Sequence, residues 1–93
     1  TLIVRNKKGY TSGIITDGQI RRANQKNKSI EFLKVSSLMT KNPISVNKDI
    51  LALKALSIMN KKKITCLCVK HSSNKKRTIG VIHIHNILEN ITS

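Results

Sequence analysis

The chain has 93 residues, 39% of them apolar, and its 18 Lys and Arg against 4 Asp and Glu give a formal charge of +14. That length holds one small domain, or two sub-domain units sharing one interior. No run nears the roughly eighteen consecutive apolar residues that a bilayer span needs, and the first residues carry no signal-peptide pattern. With Thr1 rather than Met at its start, the sequence reads as a piece of a longer, soluble, cytoplasmic protein.

The charge favours anionic partners: nucleic acid, acidic lipid or phosphorylated metabolites. Its distribution favours a solvated basic surface over a nucleic-acid interface. The lysines are scattered, and one Tyr, one Phe and no Trp leave almost nothing to stack on bases. Abundant Lys, Ile and Asn also fit the codon usage of an A/T-rich genome.

In chain order, Leu2, Ile3 and Val4 open a strand, NKKG at 6–9 is a polar turn, and residues 13–16 form the return strand of a hairpin. Thr16 or Asp17 caps a helix from Gln19 to about Asn27, with Ile20 and Ala23 inward. Residues 26–29 read as a loop. Ile30, Phe32, Leu33 and Val35 lead into VSSLMTKNP, where Pro43 ends any helix.

Residues 44–47 give a short strand, and Lys48-Asp49 opens a helix with Asp49 near its positive end. Ile50, Leu53, Leu56, Ile58 and Met59, with Ala52 and Ala55 between, carry the helical period to about Lys61. ITCLCVK is a strand, HSSNKKRT a loop, IGVIHI a strand and HNILEN a final helix. Cys66 and Cys68 lie two apart on their strand, on one face and badly placed to bond each other, so reduced buried thiols are expected.

The two ends of the chain superimpose. Leu2-Ile3-Val4-Arg5, a polar turn and Gly13-Ile14-Ile15-Thr16-Asp17-Gly18-Gln19-Ile20 match Leu67-Cys68-Val69-Lys70, a polar turn and Gly80-Val81-Ile82-His83-Ile84-His85-Asn86-Ile87. This is an internal repeat of a strand–strand–helix unit. The second copy also has an upstream strand and helix, which the first lacks.

That repeat, with Gly-apolar-apolar-Thr-x-x-Asp-apolar at its last strand–helix junction, resembles the CBS domain. ITDGQIRRA, VSSLMTKNPISV, LALKALSIMNKKKIT and GVIHIHNIL together resemble the C-terminal region of the bacterial D-arabinose-5-phosphate isomerase family, in which a SIS sugar-phosphate isomerase domain precedes a CBS pair. The resemblance implies an α/β fold of tandem CBS repeats, each strand-helix-strand-strand-helix, with three-stranded sheets covered by helices. Residues 1–33 are then the C-terminal half of a truncated first repeat, and 34–93 a linker and a complete second repeat.

It also implies ligand positions. In the family pattern the junction Thr meets phosphate, the Asp takes both ribose hydroxyls, and main-chain groups at the strand after the proline (Ile44) and on the second strand (Cys66) hold an adenine. Here the first junction has Thr16 and Asp17 with Gln19 at the ribose position, and the second has His83 and Asn86. Arg22, Lys41 and Asn42 add positive charge or polarity for phosphate and carboxylate. The implied effectors are an AMP- or ATP-type nucleotide, or CMP-Kdo, the cytidylated sugar acid of lipopolysaccharide synthesis. Read from the residues alone, both corners serve equally as helix caps, with Asp17 and Asn86 bonding backbone N–H groups.

No catalytic residue is assigned. Asp17, Glu31, Asp49 and Glu89 are the only acids, each at a helix end or surface-like position, and no Ser/His/Asp set or Gly-rich nucleotide loop occurs. His83 and His85 beside Cys66 and Cys68 make a poor tetrahedral zinc set, because His85 begins a helix and turns away. The reading is therefore a regulatory and dimerising region, with element exchange between chains as one way to cover the truncated repeat. Its alternatives are a purely structural pairing domain and a basic nucleic-acid-binding module.

Overall fold

The computed structural model describes residues 1–26 and 30–92, with side chains as far as residue 90. The anticipated loop at 26–29 and the anticipated helix end at Asn27 fall largely outside them. The chain divides into two compact units, Thr1–Pro43 and Ile44–Ser93.

In the first unit, β1 (Leu2–Arg5) and β2 (Thr11–Ile15) form the hairpin. Asn6 shapes its turn: Oδ1 accepts the Lys8 and Tyr10 N–H groups at 2.9 and 3.0 Å, and Gly9 takes a φ of 80° that other residues resist. The return strand begins at Thr11 rather than Gly13, because a bulge after Val4 lets Arg5 pair with Thr11. Then come α1 (Asp17–Gln25), a 3₁₀ turn at Ile30–Phe32, α2 (Val35–Leu38) and β3 (Thr40–Lys41). Ala23 is the buried residue of α1.

VSSLMTKNP is thus a short helix followed by a strand, with Met39 extended between them. β3 runs antiparallel to β2, Gly13 opposite Lys41 and Ile14 opposite Thr40, completing a sheet ordered β1-β2-β3. A Cβ at Gly13 would sit 2.6 Å from the Thr40 carbonyl oxygen and 2.9 Å from the Met39 sulfur, so glycine is what lets this segment pass.

The second unit holds β4 (Ser45–Val46), α3 (Ala52–Lys62), β5 (Cys66–Lys70), β6 (Thr78–His83) and α4 (Ile84–Thr92). β4 lies parallel to β5 and β6 antiparallel to it, in the order β4-β5-β6. Val46, Ala55, Met59, Leu67, Val69 and Ile87 form the core, each large member stabilising by roughly 1.5–3 kcal/mol. Cys66 and Cys68 are buried free thiols on the other face of β5.

The expected start of α3 is corrected. Lys48 and Asp49 belong to a turn in which the Asn47 carbonyl accepts the Ile50 N–H at 3.1 Å. The helix begins where the Leu51 carbonyl accepts from Lys54 and Ala55, so Asp49 is not in its first turn. Leu53, expected inward, is 68% exposed. Ala55 and Met59 set the buried face, and a residue two positions before Ala55 points about 200° away from it.

The internal repeat is present in the backbone itself. Leu2, Ile3 and Val4 pair with Ile15, Ile14 and Gly13, and Leu67, Cys68 and Val69 pair with Ile82, Val81 and Gly80. Both hairpins carry a bulge at the next step, and α1 and α4 begin at the equivalent residues Asp17 and Ile84.

Candidate functional site

Each hairpin runs directly into a helix, and the two corners close by the same device. At the first, the Thr16 N–H donates to Gln19 Oε1 at 2.7 Å, and the Thr16 hydroxyl lies 3.2 Å from the same oxygen. At the second, the His83 N–H donates to Asn86 Oδ1 at 3.0 Å. Of the two candidate caps, Thr16 is the N-cap residue of α1 and Asp17 is exposed; the Gln19 side chain closes the capping box on the Thr16 N–H. Side-chain amides at the third residue of each helix thus hold the N–H of the residue just before the helix, as in a capping box.

The corners differ in what remains available. The Gln19 amide nitrogen donates to the Leu38 carbonyl at 3.1 Å and to the Thr40 hydroxyl at 2.6 Å, tying α1 to the α2–β3 segment. Both ends of Gln19 are therefore engaged inside the unit. Asn86 is exposed and uses its side-chain oxygen on the corner, and its NH₂ has no hydrogen-bond partner among the described residues. The His83 Nδ1 accepts the His85 N–H at 3.2 Å, and the two rings stack with centroids 4.8 Å apart. His83 Nε2 is then the ring nitrogen left for a ligand.

The remaining sequence-derived candidates lie on several elements. Arg22 is exposed and reaches back over the first turn, with Nη1 only 3.2 Å from where a Cβ on Gly18 would lie. It joins Gln19, Ala23, Lys26, Leu33 and Ser37 around a shallow cavity of about 320 Å³. Lys41 is on β3, and Asn42 takes a left-handed φ of 52° before Pro43. The Ile44 carbonyl accepts the Cys68 N–H at 3.0 Å, so that oxygen belongs to the sheet. Cys66 is buried opposite His83.

Sequence reasoning missed Thr40 and Leu38 as partners of Gln19; the signal was a Gln three residues past a capping Thr, which asks where its NH₂ goes. It also missed the larger cavity, about 560 Å³, which Ser45, Asn47, Lys48, Lys54, Lys70 and Ser72 help to line. Burial pushes the Cys68 thiol up from its ordinary pKa, with neighbouring Cys66 adding to the rise and a hydrogen bond with Thr78 opposing it. Among the described residues, no three or more His, Cys, Asp or Glu side chains gather as a metal site, and no helix is long and apolar enough to cross a membrane.

Two three-stranded sheets with a repeated strand–strand–helix corner define a CBS-type α/β fold, and comparison agrees. The CBS domain family matches residues 35–93, more than half of the chain, and the chain belongs to that family. It is 38% identical over 86 residues to the uncharacterized protein RP505 of Rickettsia prowazekii, covering 92% of this chain and 25% of that one. To the arabinose 5-phosphate isomerase KdsD of Pseudomonas aeruginosa it is 33% identical over 86 residues, covering 92% and 26%. Among solved structures, the CBS domain pair of protein MJ0100, in complex with 5-methylthioadenosine and S-adenosyl-L-methionine, matches with a TM-score of 0.82 at 24% identity, over 98% of this chain and 68% of that one. The chain spans about a quarter of the length of the curated relatives it matches.

Proposed function

We propose that this chain is the regulatory, chain-pairing CBS region of a cytoplasmic sugar-phosphate isomerase, and that it takes a nucleotide-type effector at the His83–Asn86 corner. The proposal rests first on that corner. A hairpin delivers an imidazole nitrogen and an amide NH₂ to the start of α4, where helix N–H groups also favour an anion. The amide can donate to a ribose or sugar hydroxyl, and the imidazole to a phosphate oxygen. Support for the isomerase context comes from similarity to the KdsD isomerase, and support for an adenosine-type effector from the ligands in the MJ0100 complex. On this reading catalysis belongs to a SIS domain elsewhere in the full-length protein, and these residues turn over no substrate.

Calorimetry with AMP, ATP, S-adenosylmethionine and CMP-Kdo tests it. Saturable heat with one of them, abolished by Asn86→Ala together with His83→Ala, is the expected result; no heat with any overturns the sensor reading. One observation favours the second reading, a structural pairing domain without ligand: the family's ribose position in the first unit, Gln19, is wholly engaged in internal hydrogen bonds. Exposed Phe32, Leu51 and Leu53 give either reading apolar surface to bury in a dimer. A monomer by light scattering at protein concentrations on the order of tens of micromolar overturns the pairing role.

A further inference from the structure

The larger cavity, about 560 Å³, belongs to the second unit and lies at the end of its sheet opposite the His83–Asn86 corner. The register places it there. His83 pairs with Cys66 at the start of β5, whereas Lys70, on the cavity wall, ends that strand and pairs with Thr78. Four residues of strand, about 13 Å, separate the two places.

Three lysines from three elements line this cavity: Lys48 from the turn after β4, Lys54 from the first turn of α3 and Lys70 from β5. None of the three ammonium groups has a hydrogen bond or ion pair with another described residue. Asp49 is the one acid among the lining residues, and it pairs with none of them. Like charges gathered around one cavity repel, and Lys54 places a cation where the helix's own partial charge is already positive. The unit thus holds this charge together with no counter-charge of its own bound to it.

The walls are set in advance. The Asn47 carbonyl accepts the Ile50 N–H at 3.1 Å, closing the turn that carries Lys48. In the β5–β6 loop, His71 Nδ1 accepts the Ser73 and Asn74 N–H groups at 3.0 and 3.2 Å, and the His71 N–H donates to the Arg77 carbonyl at 2.8 Å. Ser72 therefore reaches the cavity from a closed turn. The volume falls within the range of small-molecule sites, roughly 300–1,000 Å³. Lysine is a compact point charge with three rotatable donors, which suits the several oxygens of a phosphate, while a planar carboxylate is matched better by arginine.

We propose that this cavity binds a small phosphorylated molecule carrying at least two negative charges, held by Lys48, Lys54 and Lys70, with the Ser45 and Ser72 hydroxyls as further donors. The site is separate from the His83–Asn86 corner, and its failure leaves that corner's role untouched.

Inorganic pyrophosphate is the probe, titrated into the 93-residue chain at fixed ionic strength while backbone amide shifts are followed by NMR. Saturable shifts gathered at residues 47–54 and 70–73 are the expected result. Lys54→Gln with Lys70→Gln removes two of the contacts, takes a partner from no described residue, and should weaken binding about tenfold. Lys48→Gln alone, in an exposed turn, should weaken it about threefold. The charge-matched control is Lys61→Gln with Lys62→Gln in the last turn of α3, outside the cavity. Those positions lie about 11 Å further along the helix, beyond a Debye length, and the loss there should stay below about twofold. The absence of saturable shifts at residues 47–54 and 70–73 overturns the proposal, as does unchanged affinity in the first double variant. An equal loss in the control overturns it too, by assigning the binding to the chain's diffuse charge of +14. Shifts confined to residues 83–86 do the same, by placing the phosphate at the corner.

Discussion

The two units use one corner design under different loads. In the first, the corner amide is bonded at both ends, to Thr16 on one side and to Leu38 and Thr40 on the other. In the second, the equivalent amide caps the corner and stops there. Their strands differ in the opposite sense: Leu2 is 61% exposed where its counterpart Leu67 is fully buried. The unit with the stronger core thus keeps the freer corner. A helix start that need not hold a neighbouring segment can present its polar groups outward, and that is the property a ligand requires.

Truncating the paired leucines gives the largest expected contrast. Leu67→Ala opens a cavity within the Val46–Met59–Ile87 cluster and should cost about 3 kcal/mol, whereas Leu2→Ala should cost less than about 0.5 kcal/mol. Urea midpoints of the two variants measure it. Equal losses would mean that the first strand is as buried as the second, and the asymmetry between the units would be gone.

A smaller contrast lies in the corners. Gln19→Ala removes a cap and two donated bonds, leaving the Leu38 carbonyl and the Thr40 hydroxyl without their partner, for a loss of about 1–2 kcal/mol. Asn86→Ala removes one cap bond and should cost about 0.5–1 kcal/mol. Thermal unfolding of both variants checks the order. A costlier Asn86 variant would show that the second corner is built for stability and is not held open for a ligand.

The fold was legible because the same pattern occurs twice at matched spacing, and the backbone repeats even its bulge. What failed was local competition. Asp49 resembles an acid at a helix start, yet Asn47 closes a turn first and moves the helix frame to Leu51, which rotates Leu53 outward. The candidate corners were legible as positions but not as states. Gln19 is engaged by Thr40, 21 residues downstream, and only the pairing of β3 brings that hydroxyl within reach. Such a bond has no local signature.

The weakest expected contrast is at Cys68, whose counterpart in the first hairpin is the hydrocarbon Ile3. Burial holds the folded thiol's pKa above its ordinary value, so the folded state keeps a proton that the unfolded state releases first. Stability from this group is therefore complete below the unfolded-state pKa, about pH 9, and is lost as pH rises toward the folded-state value. All other titratable groups remain in a Cys68→Ala variant. The difference between wild type and Cys68→Ala in unfolding free energy should hold steady from pH 7 to about pH 8 and shrink steadily above about pH 9. A difference that stays flat across that window would mean the thiol ionises equally well in the folded chain, and that the Cys66–Cys68 face of β5 is open to water as no part of the core is.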